Sequence, residues 1–147
     1  MTHVALSTVI HADAESLWQE IGAFGRVGEW HPWLERVETE GRQRIPYDKE
    51  GRRHVETLQD SDAQARCYRY TIDQSPMPIR NHSAELSVDD NHDGTSTVRW
   101  SADFDVEGPD PAKTVATIEQ FMGAGLDSLK QRHADDARRP AASRPSS

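Results

Sequence analysis

The most regular hydrophobic pattern in the chain is a strict alternation between Thr97 and Val106. Every second residue of this segment is apolar. A period of two places the apolar side chains on one face of a β-strand and the polar ones on the other. A second alternation runs over residues 81–89, and the hairpin-type turn Asn91-His92-Asp93-Gly94 separates the two segments. The pattern therefore predicts an antiparallel pair of long strands with one buried face.

Shorter patterns of the same kind predict five further strands. They lie over residues 4–10, 34–40, 41–45, 53–59 and 65–74. Turns are predicted at residues 47–51 and 60–62, where polar residues cluster. The segment Ser75-Pro76-Met77-Pro78 cannot continue a strand, because proline has no N–H group to donate, so we expect an ordered loop there.

Apolar residues at helical spacing predict three helices. The first covers residues 14–22 with Asp13 as its N-cap, and a short second helix follows over 24–29. The third begins near Pro111, since proline suits a first helical position. Its apolar positions recur every three or four residues, which indicates a helix of roughly 20–25 residues packed on a sheet. These positions are Val115, Ile118, Phe121, Met122, Leu126 and Leu129.

The predicted order of elements is one strand, two short helices, five or six consecutive strands and a long helix. Consecutive strands indicate an antiparallel meander, and the last helix has to cover its buried face. The predicted fold class is therefore α+β, with an antiparallel sheet of six to seven strands and a long C-terminal helix. Residues 1–137 are expected to form one domain. Residues 138–147 carry no periodic apolar positions, so we expect a disordered tail.

Composition and charge limit the kinds of molecule that we expect this protein to bind. The formal net charge is −8, which disfavours nucleic acid and anionic membrane surfaces. No apolar run approaches the roughly 20 residues that cross a bilayer, and no secretory signal is visible. The single cysteine, Cys67, cannot form an internal disulfide. We therefore expect a cytoplasmic protein with no nucleic-acid or membrane partner, as a monomer or a homodimer.

A series of aromatic, glycine and proline positions marks the chain from residue 3 to about residue 132. In order, the positions are Trp18, Trp30-His31-Pro32, Gly41 with Arg44, Glu56 with Leu58, Tyr70, Pro76 with Pro78, Asn81-His82, Trp100 with Phe104, and Gly125-Leu126 with Leu129. In this order and spacing they resemble the START-like or Bet v 1-like (SRPBCC) superfamily, and within it the polyketide cyclase/dehydrase-like branch. Two positions depart from the family pattern. His82 stands where the family usually has tyrosine, and Gly41-Arg42-Gln43-Arg44 replaces Gly-Ser-Val-Arg.

The resemblance implies a helix-grip fold. In such a fold a curved sheet wraps around the last helix, two short helices follow the first strand, and a cavity between sheet and helix holds a small hydrophobic or aromatic ligand. The family includes aromatic cyclases, lipid or hormone carriers, ligand sensors and co-chaperones. The fold alone therefore does not select one of these functions.

Strand alternation places three candidate catalytic groups near the expected cavity. Glu56 shares a face with His54, and His82 shares a face with the apolar residues of its strand. Glu56 and His82 together are the candidates for a general base and a general acid. Arg44 is expected at the pocket mouth, where its guanidinium would stabilise an enolate. Two alternatives stay open: Glu56 and Arg44 form a structural ion pair, and His82 is a hydrogen-bonded wall residue.

The walls of the expected cavity are mostly aromatic. The candidate ligand-binding residues are Trp30, His31, Trp33, His54, Tyr68, Tyr70, Pro78, Trp100, Phe121 and Met122. For His31, the alternative is a role in fixing the corner between helix and strand. No His-x-x-x-His or Cys-x-x-Cys spacing supports a metal site, and no phosphate-binding loop is present. Neither a metal nor a cofactor is expected.

Two functional hypotheses follow from these inferences. The first is a small-molecule cyclase/dehydratase that acts on a polyketide-like or aromatic substrate in an internal hydrophobic cavity, by general acid–base chemistry and without a cofactor. The second is a non-catalytic carrier or sensor that binds an apolar small molecule. The inward acid, base and cation favour the first hypothesis, whereas the second needs only the cavity.

Overall fold

The computed structural model describes residues 1–138, which form a seven-stranded antiparallel sheet and a long C-terminal helix. The sheet order is β1-β7-β6-β5-β4-β3-β2, so the first two strands are the two edges. This architecture confirms the predicted α+β, helix-grip class. In chain order the elements are β1 (Thr2–Ile10), α1 (Ala14–Ile21), a 3₁₀ helix (Phe24–Glu29), β2 (Leu34–Glu40), β3 (Gln43–Asp48), β4 (Val55–Asp62), β5 (Cys67–Gln74), β6 (Ile79–Asp90), β7 (Ser96–Val106) and α2 (Pro111–Arg138).

Several predicted boundaries are wrong by a few residues, and one predicted turn is absent. The turn expected at residues 60–62 belongs to β4, which stays paired with β5 as far as Asp62 and Cys67. A bulge between Leu58 and Asp60 shifts the register and lets the strand continue. The predicted tail lies outside the described residues except for Arg138, which ends α2.

The helix starts follow the local chemistry of the sequence. Asp13 caps α1, as predicted, because its carboxylate accepts a hydrogen bond from the N–H of Ser16 at 3.0 Å. Pro111 is the first residue of α2, also as predicted. The Asp110 carboxylate accepts from the N–H of Lys113 at 3.1 Å. With 28 residues, α2 is longer than expected.

Helix α2 covers one face of the sheet and is tied to α1 at its far end. The apolar stripe of α2 meets the inward residues of the strands, and Leu126 and Leu129 are fully buried. The Glu20 carboxylate of α1 binds Arg132 Nε at 2.7 Å and His133 Nε2 at 2.9 Å. The hydrogen bond from His133 is the main reason why the pKa of Glu20 lies below its usual range. No helix within residues 1–138 is both long and apolar enough to cross a membrane.

The middle of α2 lies so close to an aromatic cluster that a side chain at Gly125 would clash with it. A Cβ atom on Gly125 would stand 2.7 Å from His31 Cδ2, and 3.0 Å from Cζ3 of both Trp30 and Trp100. These ring atoms have little freedom to move, because all three side chains are buried. We expect Gly125→Ala to lower the free energy of unfolding by about 1–3 kcal/mol, as measured by urea denaturation.

Gly123 provides the matched control on the same helix. A Cβ atom there would meet Leu6 Cδ2 at 3.7 Å, which is an ordinary van der Waals distance. Because alanine is the better helix former, Gly123→Ala should be neutral or stabilising by up to about 1 kcal/mol. Equal effects of the two substitutions would contradict the packing argument.

Candidate functional site

A cavity of about 430 Å³ opens between α2 and the inner face of the sheet. This volume lies in the range of small-molecule sites. Most of the wall is apolar, and it includes Leu34, Ile72, Met77, Ile79, Trp100, Ala102, Ile118, Phe121 and Met122. Two groups of its polar residues differ in exposure. Buried Glu56, Tyr70 and His82 lie in the interior wall, and exposed Lys49, Glu50 and Arg52 lie at the mouth.

Glu56 forms a buried ion pair with Arg44. The two residues are directly opposite each other on β4 and β3, and Arg44 Nε donates to Glu56 Oε1 at 2.6 Å. Arg44 Nη1 donates to the carbonyl of Phe24 at 2.9 Å, and its guanidinium lies over the rings of Phe24 and Tyr70. Burial opposes the charge of Arg44, but Glu56 and the two buried tyrosines outweigh it and hold the pKa of Arg44 above its usual value.

Arg44 therefore does not lie at the pocket mouth, and this part of the prediction is wrong. Its side chain is 2% exposed and does not line the large cavity. The reason is the β-ladder, which places Arg44 directly behind Glu56 and under aromatic rings. The structural ion pair, one of the two alternatives, is present. Glu56 nevertheless lines the cavity, and Oε2 has no hydrogen-bond partner among the described residues.

A bulge in β6 brings Ile79 onto the cavity wall beside His82. The register against β7 shifts between Arg80 and Ser83, and Asn81 adopts a left-handed conformation with φ of 53°. Asparagine tolerates this conformation better than most residues. The extra residue places both Ile79 and His82 on the cavity wall, although their spacing in a regular strand would put them on opposite faces.

The hydrogen bonds of His82 select one tautomer. The N–H of Ile72 donates to His82 Nδ1 at 3.1 Å, so the proton of the neutral ring is on Nε2. Burial holds the pKa of His82 below its usual value, which keeps the ring neutral at neutral pH. His82 is therefore a hydrogen-bond donor through Nε2–H, with no acceptor for this group within residues 1–138.

Tyr70 is the second neutral donor on this wall. Its hydroxyl oxygen accepts a hydrogen bond from Trp100 Nε1 at 3.1 Å, and burial raises the pKa of the phenol. The hydroxyl keeps its proton, for which the described residues offer no acceptor. The wall thus combines one carboxylate oxygen with two neutral donors on adjacent strands.

Three further polar residues form a chain near the mouth. Ser75 Oγ and His54 Nδ1 are 3.3 Å apart, and His54 Nε2 and Asp48 Oδ2 are 3.5 Å apart. Asp48 also accepts hydrogen bonds from the N–H groups of Glu50 and Arg52, which close the turn between β3 and β4. The chain fixes the rim of the cavity on this side.

Over residues 1–134 the sequence matches the family model described as polyketide cyclase/dehydrase and lipid transport. The chain belongs to this family. A search of the curated proteins returned no match.

Solved structures agree with this family in fold. The protein XoxI from Bacillus cereus is 26% identical with a TM-score of 0.90, and the alignment covers 95% of this chain and 100% of that one. A protein from Thermobifida fusca is 28% identical with a TM-score of 0.76, covering 92% and 95% of the two chains. The ZhuI aromatase/cyclase from a Streptomyces species is 16% identical with a TM-score of 0.81, covering 98% and 99%. At 16% identity the likeness concerns the fold alone.

In this member of the polyketide cyclase/dehydrase and lipid transport family, the predicted site residues divide into two sets. Those that line the cavity are Trp33, His54, Glu56, Tyr70, His82, Trp100, Phe121 and Met122. Trp30, His31, Tyr68, Pro78 and Arg44 lie outside its wall. No three histidine, cysteine or acidic side chains of the described part are arranged to hold a metal ion.

The residues outside the wall have structural positions instead. His31 is buried and stacked on Phe121 at 3.9 Å between ring centroids, and its Nε2–H donates to the carbonyl of Phe121 at 2.8 Å. Its Nδ1 accepts from the N–H of Trp33 at 3.1 Å, so His31 fixes the corner before β2. Tyr68 packs against Phe24, with 5.4 Å between the two ring centroids, and the Arg44 guanidinium lies over its ring.

Sequence reasoning missed most of the apolar wall and the rim. Ile72, Met77 and Ile79 line the cavity, as do Asp48 and Ser75. The parity of β5 already placed Ile72 inward beside Tyr70, so this residue was within reach of the sequence pattern. The loop at residues 75–78 and the turn at residues 47–51 were both predicted, but neither has a hydrophobic period that would place its side chains on a cavity wall.

The buried His31 should make stability depend on pH. Burial lowers the pKa of His31 to about 4, compared with about 6.5 in an unfolded chain. As pH falls below about 6.5, the unfolded state binds the proton first, so stability is lost until pH reaches about 4. The full loss is roughly 3 kcal/mol. Urea denaturation of wild type and His31→Gln at pH 7 and pH 5 should show the larger loss for wild type. A loss of the same size in the variant would assign it to other groups.

Proposed function

We propose that this protein is a cofactor-independent cyclase/dehydratase for polyketide-like aryl ketones. The observation that supports this proposal is the arrangement on the cavity wall. Glu56 has a carboxylate oxygen without a hydrogen-bond partner among residues 1–138, and it lines a mostly apolar cavity together with the neutral donors Tyr70 and His82. A buried base beside donors for an oxyanion suits proton removal next to a carbonyl group.

In the proposed reaction, the substrate is a β-hydroxy ketone. Glu56 Oε2 takes the proton from the carbon between the carbonyl and the hydroxyl-bearing carbon. The electron pair forms an enolate, whose oxygen accepts hydrogen bonds from Tyr70 and His82. The enolate then re-forms the carbonyl while the bond to the hydroxyl oxygen breaks. The proton held by Glu56 goes to the departing oxygen, which leaves as water, and Glu56 is restored.

This proposal changes two of the roles expected from the sequence. His82 donates a hydrogen bond from its neutral ring and not a proton, because burial lowers its pKa. Arg44 holds Glu56 in place and does not contact the enolate, because it lies behind Glu56. Arg44 is therefore a positioning residue. The cytoplasmic location and the monomer or homodimer state remain part of the proposal.

The test uses a small substrate that contains the required groups, 3-hydroxy-1-tetralone. Loss of water and tautomerisation convert it to 1-naphthol, which is followed by its fluorescence. We expect the protein to accelerate 1-naphthol formation over the buffer rate, with saturation at high substrate concentration. The carrier or sensor hypothesis predicts a different result. In that case the ketone binds, as seen by quenching of tryptophan fluorescence, but returns unaltered at the buffer rate.

A further inference from the structure

A second, much smaller cavity lies against the large one. Its volume is about 20 Å³. Glu56, His54, Trp100, Phe121 and Leu34 line both cavities. A space of this size accepts a water molecule, which needs roughly 10–15 Å³, but not a ring of a substrate. Water occupies such a space only where two to four polar partners are available.

Arg44 is a polar residue that lines only the small cavity. Besides the shared residues, this cavity is lined by Val27, Pro46 and Arg44. Arg44 uses Nε for Glu56 and Nη1 for the Phe24 carbonyl and the Tyr68 hydroxyl, which leaves Nη2 without an acceptor in the described part of the chain.

The remaining nitrogen of Arg44 has room for a further hydrogen-bond partner. Within residues 1–138, only Trp30 Nε1 and Arg66 Nε are fully enclosed side-chain atoms without a hydrogen bond. Nη2 of Arg44 is therefore not fully enclosed by protein atoms. Arg44 lines the small cavity and not the large one, so the small cavity is the space available to this nitrogen.

Glu56 supplies a hydrogen-bond acceptor beside the small cavity. Its Oε1 is bound to Arg44, and Oε2 is likewise not fully enclosed. Glu56 is part of both walls, so it adjoins both cavities. The third polar residue is His54, whose closest approach to Asp48 is 3.5 Å and is too long for a strong hydrogen bond.

We propose that the small cavity is a specific site for one water molecule, held by Arg44 Nη2 and the Glu56 carboxylate, and that it receives the water released by dehydration. The second part rests on the proposed function. The small cavity offers a donor and an acceptor next to the carboxylate that protonates the departing oxygen.

The test fills the small cavity without touching the large one. Val27 lines only the small cavity, so Val27→Ile adds one methylene group into the space for water. Val98→Ile is the matched control, because Val98 is fully buried but lines neither cavity. The binding readout is a water cross-peak to the guanidinium protons of Arg44 in ¹⁵N-edited NMR spectra. The catalytic readout is 1-naphthol formation from 3-hydroxy-1-tetralone.

We expect the cross-peak in wild type and in Val98→Ile, and its loss in Val27→Ile. The dehydration rate of Val27→Ile should fall about tenfold, as for the loss of one or two hydrogen bonds, while the affinity for unreactive 1-tetralone stays unchanged. Absence of the cross-peak in wild type overturns the water site. An undiminished rate in a Val27→Ile protein that has lost the cross-peak overturns the catalytic role. If wild type produces no 1-naphthol, the proposed function and the catalytic role fail together, and the cross-peak still decides whether water binds.

Discussion

Replacement of Glu56 by glutamine is expected to lower the dehydration rate by roughly 10²–10⁴-fold, the usual contribution of a general base. Glutamine keeps the shape of the side chain and an oxygen that accepts from Arg44 Nε, but it cannot take a proton. The cavity wall is otherwise unchanged, so affinity for unreactive 1-tetralone should change little. The measurements are 1-naphthol formation for the rate and tryptophan fluorescence for binding.

Two controls separate chemistry from damage to the fold. Glu40→Gln makes the same chemical change at an exposed position of β2 and should leave the rate unaltered. Circular dichroism should show that Glu56→Gln is folded at the assay temperature. A folded Glu56→Gln protein with the wild-type rate would remove Glu56 from the reaction, and another base would have to be found.

The largest expected effect on stability is that of Arg44→Met. This change removes the cation beside Glu56 and leaves a carboxylate that is buried and uncompensated. Breaking a buried ion pair by removal of one partner typically costs about 3–5 kcal/mol. Part of the loss should return in the double variant Arg44→Met/Glu56→Gln, since neither side chain is then charged. The free energies of unfolding from urea denaturation of the four proteins give the coupling directly.

The exposed pair of Arg36 and Glu38 is a suitable comparison. Arg36 Nη1 binds Glu38 Oε2 at 2.7 Å, and its guanidinium lies 3.7 Å from the centre of the Tyr47 ring. The contacts resemble those of Arg44, but both charged side chains are more than half exposed. Arg36→Met should therefore cost less than about 1 kcal/mol. If Arg36→Met and Arg44→Met cost the same, burial does not set the strength of these pairs.

The sequence predicted which face of the sheet a side chain lies on, but not where along that face the cavity is. The alternation in β4 and β6 placed Glu56 and His82 on the inner side of the sheet, and both residues line the cavity. The same period of two cannot tell how far along the inner face the cavity extends. Arg44 was accordingly expected at the mouth, although its partner across the ladder holds it behind the wall.

Irregular geometry explains most of the remaining differences. The bulge near Asn81 brings Ile79 onto the same wall as His82, and the bulge after Leu58 continues β4 through a predicted turn. Both depend on how two strands pair, and no single-strand pattern carries that information. His31 is a similar case, because its partners Phe121 and Trp33 come from distant and neighbouring segments that only the folded chain brings together.

The pairing of β1 with β7 has a consequence for synthesis on the ribosome. Strands β2 to β6 each pair with the next strand along the chain, so these hairpins can form as the chain emerges. Strand β1 cannot pair until β7 has been synthesised, because Thr2 pairs with Phe104 at the other end of the domain. At roughly 5–20 residues per second, β1 spends several seconds as an unpaired edge. A nascent chain that stalls before β7 is complete therefore exposes a strand with no partner, which is a target for chaperones and for aggregation.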